Sequence, residues 1–141
     1  MNICFTSRNS RCKRIFSKNA TAFHEVFEKP PEFIDLLVLD GGNLEYYLEN
    51  EVDTCIFKSE NITDLLQLKK VRSAVSCGMS PYDSVTFSSI GEDSSVICIR
   101  RPISFMGKVY EPCEFKVPFD YSIGIFHNLV IGLLSYFVSE E

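Results

Sequence analysis

Phe33-Ile34-Asp35-Leu36-Leu37-Val38-Leu39, closed by Asp40-Gly41-Gly42, decides the fold class. Its apolar residues follow one another instead of alternating. A strand with one wet face shows a two-residue period, whereas a strand buried on both faces reads as a near-continuous apolar run. The second situation belongs to the interior of a parallel sheet. Asp-Gly-Gly then supplies a tight turn, and Asn43 is placed to cap a following helix that uses Leu44, Tyr47 and Leu48.

The same plan repeats on both sides. Upstream, Ile3-Cys4-Phe5 is a short apolar strand. A helix is expected over about Asn19 to Glu28, with Ala22, Phe23, Val26 and Phe27 on one side and Pro30-Pro31 as its stop. Downstream, Thr54-Cys55-Ile56-Phe57 is a strand. Asn61 to Lys70 is expected as a helix capped by Asn61, with Ile62, Leu65 and Leu66 facing inward. Strands alternating with helices predict βαβ crossovers and a parallel sheet.

From about residue 73 the pattern changes. Ser73-Ala74-Val75-Ser76-Cys77 reads as one more strand, followed by a Gly78-Met79-Ser80-Pro81 turn. Val85-Thr86-Phe87-Ser88, Val96-Ile97-Cys98-Ile99 and Cys113, Phe115 and Val117 read as antiparallel strands, with Met106-Gly107-Lys108 turning a hairpin. Tyr121 to Val138 carries no formal charge and is expected as a closing helix capped by Asp120. Ser122, His127, Asn128 and Ser135 within it argue for a buried or interface helix and against a membrane span.

A length of 141 residues fits one domain, divided by texture into 1–72 and 73–141, and 45% apolar residues can furnish a core. The net charge of −5 argues against nucleic acid as a partner. Residues 1–30 carry six Lys/Arg against two Glu, whereas residues 31–67 carry nine acids against Lys58. The basic end can attract a phosphate or an acidic partner. The six cysteines show no C-x-x-C spacing and the histidines are remote from them, so neither a zinc site nor a redox motif is expected. The amino terminus lacks the apolar core of a signal peptide, which predicts a cytoplasmic protein with reduced cysteines.

Between the first strand and the first expected helix stands Thr6-Ser7-Arg8-Asn9-Ser10-Arg11-Cys12-Lys13, where a glycine loop would cradle phosphate. Glycines let backbone N–H groups turn toward an anion without Cβ clashes, a lysine reaches the terminal phosphates, and a hydroxyl meets magnesium. Here serines, arginine and cysteine stand in those places. The stretch resembles, in register, the Thr-Gly-Thr-Asn-Gly-Lys-Thr loop of the Mur ligase family, the ATP-dependent peptide ligases of peptidoglycan synthesis. It shares Thr6 and Asn9 and keeps a cation at Arg11. Ala74-Val75-Ser76-Cys77-Gly78-Met79-Ser80 with Asp83-Ser84-Val85-Thr86 is similar to that family's strand, glycine turn and next strand. His127-Asn128 resembles the His-Asn-x-x-Asn signature whose asparagines lie near adenine, with Ile131 in place of the second asparagine.

The resemblance is to the family's central domain alone and implies candidate nucleotide contacts at Thr6, Asn9, Arg11, Cys12, His127 and Asn128. It also implies a lost reaction. The family's metal-binding glutamate and histidine have no counterpart here, nor do its UDP-binding and amino-acid-binding domains. Ligation depends on magnesium holding the phosphates. The expectation is a single α/β domain: a mostly parallel, Rossmann-like sheet flanked by helices, extended by antiparallel strands and closed by an apolar helix. Its expected role is non-catalytic, with no resident cofactor or metal. It would bind a protein partner, or weakly a nucleotide or other phosphate-bearing ligand. Two alternatives stand beside it: an oligomeric interaction module that buries the last helix, and a small enzyme using the Asp40-Gly41-Gly42 crevice.

Overall fold

A computed structural model describes residues 2–6, 31–42 and 44–139, together with the backbone of 22–24. Asn9, Arg11 and Cys12 lie outside the described residues, as do the rest of the first loop, Asn43, and the flanks of the helix expected over 19–28.

Five strands form one parallel sheet: β1 (Asn2–Phe5), β2 (Ala22–His24), β3 (Phe33–Leu39), β4 (Glu51–Phe57) and β5 (Lys70–Ser76). Their order is β2-β1-β3-β4-β5, so the opening strand lies inside the layer, in parallel register with both β2 and β3. The apolar run of β3 is explained by its two faces. Leu36 and Val38 join one core with Ile3, Phe5, Ile56 and Val75, while Ile34, Leu37 and Leu39 join another with Cys4, Cys55 and Phe57.

Residues 22–24 are a strand where a helix was expected. An apolar pair such as Ala22-Phe23 fits either period, and the free edge of β1 supplies hydrogen-bonding partners that an isolated short helix lacks. After β3 only a single 3₁₀ turn, Leu44–Tyr47, replaces the expected helix. The crossover must run back along a seven-residue strand within residues 40–50, which leaves no length for more. Helix α1 covers Ile62–Gln67 and stops short of Lys70, which pairs with Glu51 as the first residue of β5. Asn61 does occupy the N-cap position, but its side chain makes no capping bond. Leu65 alone of the expected inner face packs on the core; Ile62 and Leu66 are 43% and 75% exposed. Among the described residues, helical cover on this face is therefore thin.

The second half supplies the other cover. Strands β6 (Val85–Ile90), β7 (Ser94–Ile99) and β10 (Cys113–Pro118) make an antiparallel sheet of order β10-β7-β6. β8 (Ile103–Phe105) and β9 (Lys108–Tyr110) form a hairpin whose turn residues Met106 and Gly107 both take positive φ, +54° and +78°. Two such residues in succession match the twist of a tight hairpin.

Helix α2 (Gly124–Ser139) begins three residues later than expected, after Asp120 Oδ1 has accepted the N–H of Ser122 at 2.9 Å. It shares one core with both sheets: Leu129, Val130, Leu133, Leu134 and Phe137 are fully buried. Gly132 lets it approach β7 and β10, since a Cβ there would stand 2.4 Å from Ile97 Cδ1 and 3.3 Å from Val117. A helix buried on several sides needs no polar stripe, which accounts for the uncharged run. No helix among the described residues is long and apolar enough to cross a membrane.

Five cysteines are described, all unpaired. Burial pushes the Cys4 thiol up from 9.0 to about 12, and Cys55 and Cys77 shift in the same direction. Above pH 9 the unfolded chain ionises its thiols while the folded chain holds them neutral. Stability is therefore expected to fall as pH rises from about 9 toward about 12. Urea midpoints measured across that window check this; the fall should be shallower in Cys4→Ala, and an identical slope in the two proteins would contradict it.

Candidate functional site

Parallel strands deliver all their carboxyl ends to one edge, so the residues that follow β1, β3, β4 and β5 gather there. The strand order adds a second fact. From β1 the chain goes to β2 on one side and then to β3 on the other, which makes the carboxyl ends of β1 and β3 a topological switch point. Open α/β sheets bind their ligands at such switch points.

Thr6 and Asp40 follow those two strands. The Thr6 N–H donates to the Val38 carbonyl at 3.1 Å and holds the residue beside β3. Its hydroxyl accepts the Asp40 N–H at 3.0 Å and donates to Asp40 Oδ1 at 3.2 Å. Asp40 Oδ2 lies 2.9 Å from Nε2 of His127, which the first turn of α2 brings in from the far end of the chain. The Asp40 carboxyl is 1% exposed and the His127 ring 15%. A carboxylate can only accept, so this bond places a proton on His127 Nε2 and leaves Nδ1 as the nitrogen able to meet a ligand. Thr6 bonds Asp40 and not the imidazole, so among the described residues the cluster has no hydroxyl-to-base contact of the kind that activates a nucleophile. Its chemistry is orientation of His127 and hydrogen bonding or proton exchange at Nδ1.

Beside it, beyond the ends of β4 and β5, opens a cleft of about 530 Å³. Lys58, Ser59, Gly78, Met79, Asp83 and Phe126 are among its walls. Asp83 is 1% exposed; it accepts the Ser80 N–H at 2.9 Å and the Ser59 hydroxyl. Gly78 is required by this packing, because a Cβ would come within 2.6 Å of Asp83 Oδ2. The Lys58 ammonium lies 5.3 Å from the centre of the Phe126 ring, a cation–π distance.

Of the residues expected to contact a nucleotide, Thr6 and His127 come together through Asp40. Asn128 does not join them. It is buried, and its amide bonds the Asp120 N–H at 2.9 Å and the carbonyls of Asp120 and Gly124 at 2.7 Å. Asn128→Ala is expected to cost about 1–3 kcal/mol through those unsatisfied groups, measured by urea unfolding, with ligand binding unchanged. A lost ligand response without a stability loss would contradict this structural role. The Asp40-Gly41-Gly42 turn is filled at Asp40 by the Thr6 and His127 contacts. Lys58, Ser59 and Asp83 were missed as site residues; the available signal was their position just past apolar strand runs or beside the Gly78 turn.

Among the described residues, no group of three or more His, Cys, Asp or Glu side chains is arranged to hold a metal. No family model, curated protein or solved structure matches the chain.

Proposed function

We propose that this chain is a Rossmann-like, non-ligating relative of Mur ligase central domains that holds a phosphate-bearing ligand weakly at the carboxyl edge of its parallel sheet. One observation carries the reading: Thr6, Gly78 and His127, one from each of the three resembling stretches, stand at the same edge as Asp40 and Lys58. The Lys58 ammonium favours an anion, and His127 Nδ1 can accept a hydrogen bond from a protonated phosphate oxygen. Serines in the glycine places of the first loop deny triphosphate and magnesium the close backbone approach that phosphoryl transfer needs.

Titration with magnesium–ATP and with pyrophosphate, followed by ¹H–¹⁵N NMR and an assay for ADP, tests this. The expected result is shifts at Thr6, Asp40 and His127 with Kd on the order of millimolar and no ADP. Micromolar binding with turnover would overturn it.

A second reading, an interaction module, is favoured by Ile62 and Leu66, exposed one helical turn apart on α1. It predicts a sedimentation mass that rises with concentration and a monomer for Leu66→Lys. A wild-type chain that stays monomeric throughout would exclude self-association.

A further inference from the structure

The cleft beyond β4 and β5 holds a buried carboxylate that is hydrogen-bonded but, among the described residues, has no counter-cation. Asp83 is 1% exposed, yet among the described residues no lysine, arginine or histidine forms an ion pair with it. Its bonds are two, from the Ser59 hydroxyl and the Ser80 N–H, while two carboxylate oxygens offer about four acceptor sites. A buried carboxylate is costly unless a cation or several hydrogen bonds compensate it. Asp83 also lines the cleft, so the compensating group can arrive from solution.

The walls say which cation. Met79, Ile125 and Phe126 line the same space, and a sulfur, a branched alkyl chain and a ring are poor ligands for a hard metal ion. They suit an organic ammonium on an apolar body, with the aromatic ring adding attraction for the positive end. Lys58 adds a further requirement. Its ammonium lies 5.3 Å from the Phe126 ring centre and is 40% exposed. It pairs with Glu60 only at 3.9 Å, and that carboxylate is 75% exposed, so the pair is weak and a ligand carrying positive charge alone still meets Lys58. A ligand that also carries an anionic group would instead find a partner in Lys58.

We infer that the cleft binds a small zwitterion: a protonated amine on Asp83, an anionic group on Lys58, and an apolar side chain against Met79, Ile125 and Phe126. Apolar amino acids and their close analogues are the chemical class. This site shares Lys58 and Gly78 with the phosphate reading but needs neither Thr6 nor Asp40, whose amides report on phosphate alone.

Three probes that share one ring separate the two charges: L-phenylalanine, 2-phenylethylamine and 3-phenylpropionate. Each is titrated into the intact chain and followed by ¹H–¹⁵N NMR. L-Phenylalanine is expected to shift the amides of Ser59, Gly78 and Phe126, and each singly charged probe is expected to bind at least about tenfold more weakly, one charge contact being lost. Lys58→Met should abolish the advantage of L-phenylalanine over phenylethylamine, and Asp83→Asn its advantage over phenylpropionate. Lys58 is exposed and makes no buried hydrogen bond, so its variant and the probe comparison on the unaltered chain carry the test if Asp83→Asn fails to fold. Equal binding of all three probes, tightest binding by phenylpropionate, or no shift at these amides with about 10 mM L-phenylalanine would overturn the inference.

Discussion

Phe137→Ala is expected to lower the unfolding free energy by about 3–5 kcal/mol, the range for deleting a fully buried ring. Phe137 has no exposed surface. It stacks on Phe105 of the β8–β9 hairpin at 4.3 Å with 12° between the planes, and meets Tyr110 at 4.7 Å. One ring therefore joins the last turns of α2 to both strands of the hairpin. Against a total stability of about 5–15 kcal/mol the loss is a large fraction, and for a chain of this length it corresponds to a melting temperature lower by about 10 °C. Urea unfolding of the two proteins measures it. Phe115→Ala provides the contrast: that ring stacks on Tyr136 at 4.2 Å but is only partly buried, so its loss should be smaller. A Phe137→Ala cost below about 1 kcal/mol would mean that the hairpin does not rest on α2 in this way.

Asp53→Ala is expected to cost about 2–3 kcal/mol, typical of removing hydrogen bonds to a charged group. Asp53 sits in β4, is 4% exposed, and accepts the Met106 N–H and the Thr54 hydroxyl, each at 2.9 Å. The Met106 bond matters because that residue holds a left-handed φ of +54°, an uncommon conformation for a side-chain-bearing residue. The ion pair to Arg72 at 3.2 Å contributes little, since the arginine is 72% exposed. Two measurements check the assignment: urea unfolding, and hydrogen exchange at Met106, which should accelerate in Asp53→Ala and stay near wild type in Arg72→Ala. Equal effects of the two substitutions would contradict it.

How far the sequence speaks follows from the range of each signal. The double-sided burial of β3 is written in seven consecutive residues, and Met106-Gly107 between two short apolar runs announces a hairpin on its own. β10 is legible because Glu114 and Lys116 alternate with Phe115 and Val117, and the first pair is exposed as expected. The crossovers were less legible. Leu44, Tyr47 and Leu48 have helical spacing, but the short return from β3 to β4 permits one 3₁₀ turn, a limit set by strand length and not by local propensity. Ile62 and Leu66 have helical spacing too, yet pairing of Lys70 with Glu51 draws the following chain into β5. Phe23 joins an edge that only the folded β1 offers. The site is half legible: Thr6 and His127 are marked by the resemblance, whereas Asp40, which joins them, is legible only as part of a separate candidate crevice. His127 is 87 residues from Asp40, and nothing local encodes their meeting. It follows from parallel pairing of β1 with β3 and from α2 joining the core of both sheets.

The account stands on His127 being held by Asp40 at the switch point, with its other ring nitrogen free for a ligand. Long-range ¹H–¹⁵N NMR of the imidazole, in a His24→Gln background so that one ring is observed, reads this directly. The predicted spectrum has the proton on Nε2 of the neutral ring, loses that tautomer preference in Asp40→Ala, and shows a shift at Nδ1 when pyrophosphate is added. A proton on Nδ1, a ring indifferent to Asp40→Ala, or a ring that ignores pyrophosphate would contradict it.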